Sequence, residues 1–190
     1  TDYPWDGNIR ITVEEGSPRP FSLYLRIPGW CSKATLKING QNTRIPVIPG
    51  TYARIDRSWK VGDRVELEIP MEVRLIESNP LVEETRNQAA IMRGPLVYCL
   101  ESHDLPAEVR VSEIIIPAGM KLKPVPEMIA GSRITALEGN VRYEKQDWEN
   151  TLYRVMPGIK SRKLSARFIP YYAWDNRGKS EMTVWLPLSR

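Results

Sequence analysis

This chain of 190 residues carries 27 lysines and arginines against 23 aspartates and glutamates, a net charge of +4, with 42% hydrophobic residues. That is an ordinary globular composition, long enough for one large or two small domains with a real core. Basic and acidic residues interleave, as in GDRVELEIPMEVRLIE, and no apolar run approaches the ~20 residues of a membrane-spanning helix, so neither nucleic acid nor membrane is an expected partner.

In chain order, NIRITVEEG (8–16) sets Ile9, Ile11 and Val13 against polar neighbours, the period of a half-buried strand. FSLYLRIPGW (21–30) repeats it with Phe21, Leu23, Leu25 and Ile27 on one face, ended by Pro28-Gly29. ATLKINGQ (34–41) runs into Asn39-Gly40, a strong hairpin signal. Residues 51–77 predict two or three strands through Tyr52, Ala53, Ile55 and Trp59, then, past a Gly62-Asp63 turn, through Val65, Leu67 and Ile69. AAIMRGPLVYCLE (89–101) is continuously apolar, as a strand buried on both faces would be.

The polar SHDLPAEV (102–109) is read as a boundary, dividing the chain into 1–102 and 103–190. Beyond it, strands are expected over 111–119, 132–139 and 140–145, a long connection over 147–163, and strong β character in KLSARFIPYYAWDNRG and MTVWLPL. Strand signals at about 8–12-residue spacing, with 16 prolines and no helical period, point to an all-β protein: two antiparallel β-sandwich (jelly-roll/Ig-like) domains in tandem. A return of the final strands to the first unit stays open.

Chemistry is sparse. His103 is the single histidine. On one strand Cys99 and His103 would stand roughly 13 Å apart, beyond the reach of a nucleophile and its base. Two cysteines, Cys31 and Cys99, exclude a zinc site built from four cysteines and read as buried thiols, with a single disulfide as the alternative. Glu83-Glu84 reads as a solvated pair, and no phosphate-cradling or calcium loop is present. No catalytic, cofactor-binding or metal residue is therefore assigned.

The aromatic cluster FIPYYAWDNRG offers Tyr171, Tyr172, Trp174, Asp175, Asn176 and Arg177 as sugar or interdomain contacts. Sugar platforms combine flat rings with polar rims. In an extended segment, however, Tyr172 and Trp174 would share one face and Tyr171 the other. Burial as core or seam is the favoured reading, because large aromatics dominate core and interface energetics.

The stretches YPWDGNIRI, LYLRIPGWC, INGQ, RSWKVGDRVELEIPMEVRL, RGPLVYCLES and IPYYAWDNRG with MTVWLP resemble the C-terminal region of glycoside hydrolase family 127, the β-L-arabinofuranosidase-type enzymes. The resemblance runs from Tyr3 to Leu186. It implies a non-catalytic, bacterial β-sandwich portion that supports an (α/α)6 catalytic barrel, its own N-terminal domain, absent from this sequence. Dimerisation is a further implied role, and a carbohydrate-binding module for arabinose-rich glycans is the alternative. Such enzymes are retaining glycosidases with a zinc-bound cysteine nucleophile and a glutamate acid/base. Neither Cys31 nor Cys99 matches their ligands, so zinc is expected in the barrel and no cofactor in this chain. A homodimer partner and a glycan partner are both compatible with that layout.

Overall fold

The computed structural model describes residues 1–16, 19–145, 148, 150–155, 158 and 161–189. The chain divides into two compact units, Thr1–Glu72 and Val73–Arg190. Helix among the described residues is limited to 3-10 turns of three residues each.

The first unit holds β1 (Asn8–Thr12), β2 (Phe21–Arg26), β3 (Thr35–Ile38), β4 (Gln41–Asn42), β5 (Tyr52–Arg57) and β6 (Arg64–Glu68). A four-stranded sheet runs β1-β6-β3-β4, and β2 pairs β5 separately, all antiparallel. Period-two alternation turns Leu25, Ala53 and Ile55 of one sheet toward Leu36, Val65 and Leu67 of the other, with Ile27, Cys31 and Trp59 in the same core. Asn39 and Gly40 take φ of 52° and 78°, so the β3–β4 hairpin closes as its dipeptide predicts. At Gly7 a Cβ would meet the Ile69 carbonyl oxygen at 1.7 Å, so only glycine fits beside that strand end.

The second unit holds β7 (Val73–Glu77), β8 (Gln88–Arg93), β9 (Leu96–Glu101), β10 (Ile114–Pro117), β11 (Lys123–Ile129), β12 (Ser132–Tyr143), β13 (Arg162–Pro170), β14 (Met182–Thr183) and β15 (Trp185–Ser189). The order β9-β13-β12-β10-β15-β8, with β8 also paired to β9, closes a ring of strands. One pairing in it, β10 with β15, is parallel. Every ring strand sends side chains inward: Ala89, Ile91, Tyr98, Leu100, Ile114, Ile116, Leu137, Val141, Ala166, Phe168 and Leu186 are buried together. The all-β expectation holds, but this unit is a closed barrel rather than two separate sheets, which leaves the ring without free edges.

The division falls at 72/73 rather than at 102/103. The reason is long-range pairing: β8 and β9 bond to β15, β13 and β14, far later in the chain. The continuous apolar run over 89–101 is two strands, folded back at Gly94-Pro95. Conversely, 132–139 and 140–145 are one strand, β12, and Gly139 lies inside it because the Lys121 carbonyl passes 2.9 Å from where its Cβ would be. Strand β11 was not legible. Its Pro124 and Pro126 argue against a central strand, and it pairs only with β12, at an edge where proline is tolerated. Of the connection over 147–163, residues 147, 149, 156, 157, 159 and 160 lie outside the described residues, and β13 begins at Arg162.

Candidate functional site

Strand β13 ends where Ile169 and Pro170 pair with Cys99 and Tyr98 of β9. The chain then makes a 3-10 turn over Tyr171–Ala173. Ala173 is buried with Cys99, Ile134, Ala136 and Ile169, so the turn caps the outer side of the barrel wall. In a 3-10 turn, residues three apart eclipse. Accordingly the rings of Tyr171 and Trp174 stack, with centroids 5.9 Å apart and planes inclined by 22°.

This corrects the extended reading of the segment. Tyr171, Tyr172 and Trp174 are 46%, 50% and 38% exposed, so none of these rings is core of its own unit. Of the other tryptophans, Trp59 is buried, its Nε1 donating to the Phe21 carbonyl at 3.1 Å, whereas Trp5 and Trp148 are exposed.

What holds the turn lies beneath it. Asp175 adopts a left-handed φ of 64° and its amide donates to Glu101 Oε1 at 3.1 Å. Asn176 Nδ2 donates to the Ala173 and Trp174 carbonyls, both at 3.2 Å. Arg177 forks between two acids. Its Nε donates to Glu101 Oε2 at 3.0 Å and Nη2 bonds the same oxygen, while Nη1 and Nη2 reach Asp104 at 3.1 and 2.5 Å. Ser180 Oγ adds a bond to Glu101 Oε1 at 3.1 Å.

Glu101 is fully buried, the last residue of β9. Burial pushes its carboxyl up, but hydrogen bonds from Arg177 and the Asp175 amide, with the Arg177 charge, outweigh that and hold it below the usual glutamate range. Arg177 is held protonated, chiefly by its Asp104 bond. Neighbouring Cys99 is pushed up to about 12 by burial and then by the Glu101 charge.

The predicted contact residues Tyr171, Tyr172, Trp174, Asp175, Asn176 and Arg177 are brought into one turn with different tasks. The rings face water, whereas Asn176 and Arg177 are anchors. Glu101, Asp104 and Ser180 were missed as partners. The available signal was a glutamate closing an otherwise apolar run.

His103 is exposed on the 3-10 turn Ser102–Asp104, while Cys99 is sealed in the core. Glu83 and Glu84 lie on an exposed turn. Cys31 and Cys99 are free thiols, each buried in the core of a different unit. Among the described residues no three His, Cys, Asp or Glu side chains converge as a metal cage. The donor set of the described residues therefore does not fit a zinc-cysteine centre.

Comparison with known proteins covers both units. The model of the glycoside hydrolase family 127 C-terminal domain matches residues 73–187, and that of the β-L-arabinofuranosidase GH127 middle domain matches residues 1–71. A non-reducing end β-L-arabinofuranosidase of Bifidobacterium longum subsp. longum is 29% identical over 195 residues, covering 97% of this chain and 29% of that protein. Among solved structures, a glycoside hydrolase superposes with a TM-score of 0.94 at 50% identity, covering 100% of this chain and 32% of the other. A GH127 β-L-arabinofuranosidase from Geobacillus stearothermophilus T6 gives 0.87 at 39% identity, covering 100% and 30%. The chain thus spans less than a third of the length of each relative.

Proposed function

From the premise that this chain belongs to glycoside hydrolase family 127, we propose that it is the non-catalytic β-rich portion of a bacterial enzyme resembling β-L-arabinofuranosidases. It supports a catalytic (α/α)6 barrel, its N-terminal partner, and mediates dimerisation where two copies meet. The observation that carries this reading is the state of its convergent carboxylates. A glycosidase needs two facing carboxyl groups with room for a sugar between them. Here Glu101 and Asp104 converge on Arg177, and Glu127 and Glu138 converge on Arg167 at 2.5 and 2.6 Å. Each pair is bridged by the arginine lodged between its members, which fills the space that a sugar would need between the two carboxylates.

The retaining, zinc-cysteine chemistry of the parent is assigned to the barrel, since the cysteines of this chain do not fit such a centre. The test is hydrolysis of p-nitrophenyl β-L-arabinofuranoside by the purified 190-residue chain with zinc supplied. No turnover above buffer is expected, together with co-elution of the chain with a separately expressed family barrel. Turnover by the chain alone would overturn the reading.

A second reading rests on the stacked, half-exposed Tyr171 and Trp174, held by buried ions and so pre-organised as a carbohydrate-binding platform for arabinose-rich glycans. Tryptophan fluorescence titrated with arabino-oligosaccharides tests it. A saturable shift that Trp174→Ala abolishes supports the platform, and a flat titration on folded protein leaves the rings as a protein-contact surface.

A further inference from the structure

A second aromatic feature lies on the solvent face of β2 and β5, in the first unit. In their antiparallel register Ser22 stands opposite Asp56, Tyr24 opposite Arg54, and Arg26 opposite Tyr52. Leu23, Leu25, Ala53 and Ile55 pack inward, so period-two alternation sends these six outward. The pattern is a checkerboard of rings and guanidinium groups. Arg26 lies 5.3 Å from the Tyr52 ring centroid and Arg54 lies 5.7 Å from that of Tyr24. Tyr24 and Tyr52 nevertheless remain 53% and 61% exposed as residues.

The two arginines differ in charge balance. Arg54 donates through Nε to Asp56 at 2.9 Å, and Asp56 also accepts from Ser22. Arg26 instead donates through Nη1 to the Ile27 and Thr51 carbonyls, both at 3.0 Å. None of the ion pairs among the described residues involves it. Arg26 is therefore an exposed cation pinned by two backbone oxygens and a ring, with no carboxylate of the described residues paired to it. Its side-chain freedom is already lost, while its charge is still available.

We propose that this face binds a carboxylate-bearing oligosaccharide, a glycan containing uronic acid residues. Sugar rings lie on Tyr24 and Tyr52, and a uronate carboxylate meets the guanidinium of Arg26. Each part of the ligand has a counterpart. Open aromatic faces suit the C–H faces of pyranose rings, and a planar guanidinium matches a carboxylate. The Arg54–Asp56–Ser22 group supplies donors and acceptors for hydroxyls. The charge complementarity is what selects an acidic glycan over a neutral one. This inference goes beyond the supporting role above and concerns a different unit from the Tyr171–Trp174 turn.

The experiment is calorimetric titration of the whole chain with tetragalacturonic acid and, separately, with its carboxyl-reduced neutral counterpart, at low and high salt. Saturable binding of the acidic tetramer is expected, weakening with salt as an exposed ion pair must. The neutral tetramer should bind about tenfold more weakly, the loss of one charged hydrogen bond. Arg26→Ala and Tyr52→Ala should each lower the acidic affinity about tenfold, with the fold retained because both side chains stand on the solvent face of the sheet. Arg26→Lys should fall between, keeping charge but losing the fork. Lys179→Ala, an equal charge loss in the other unit, should leave binding unchanged. Equal binding of the two tetramers, no binding of either, or an Arg26→Ala variant that binds like the parent would each overturn the proposal. Because the ligands are uronates, these outcomes are separate from those of the arabinofuranoside assay and the arabino-oligosaccharide titration.

Discussion

Two regions of this molecule show tyrosine or tryptophan rings to water beside arginine, and they are built in opposite ways. On β2 and β5 the rings follow from strand alternation alone, and the arginines that touch them are exposed. At the Tyr171–Ala173 turn the rings depend on a left-handed Asp175 and on Arg177 clamped between buried Glu101 and Asp104. The first arrangement is held by weak, solvent-screened contacts over a sheet that folds regardless of them. The second is held by charges taken out of water, which are strongly destabilising once one partner is removed. Similar surfaces can thus rest on foundations of very different energy.

Mutation separates the two. The largest effect should come from Arg177→Ala, which leaves Glu101 buried without its cation and should destabilise the second unit by about 3–5 kcal/mol in urea denaturation. A loss under about 1 kcal/mol would erase the distinction between the regions. Next comes pH. The Glu101 carboxyl is depressed in the folded state, so its contribution is present above the unfolded glutamate range and is lost as pH falls through the folded value. Below about pH 4.3, the parent chain should therefore lose stability more steeply than Glu101→Gln. Parallel acid melting curves would contradict the assignment.

Smaller again is Tyr52→Ala on the sheet face, expected to change stability by less than about 1 kcal/mol. A larger loss by calorimetry would mean that the ladder is structural rather than available. Smallest in stability is Trp174→Ala, which removes an exposed ring while sparing the ion cluster beneath. Its thermal midpoint should match the parent in a calorimetric scan.

Much of the fold was legible locally. Strands β1, β2, β3, β5 and β6 follow the alternation of Ile9 and Ile11, Leu23 and Leu25, Leu36, Ala53 and Ile55, and Val65 and Leu67, and Asn39-Gly40 closes its hairpin. The turn at 171–173 was not legible, because a run of β-favouring rings after Pro170 reads as strand. What bends it is Glu101, distant in sequence, accepting from the Asp175 amide and Arg177. Strand β11 escaped because its prolines matter only if it is central, and its edge position is a tertiary fact.

By itself, then, the sequence determined the all-β class, most strand faces, the tight turns, and a resemblance to glycoside hydrolase family 127 that both domain matches bear out. These depend on residue type and short spacing, which a chain carries wherever it folds. Tertiary structure alone decided that β8 and β9 belong with the C-terminal strands, that their ring closes, and that a buried glutamate anchors an exposed aromatic turn. Each of these joins residues far apart in the chain. Their energies come from burial and from charges meeting out of water, which local pattern does not encode.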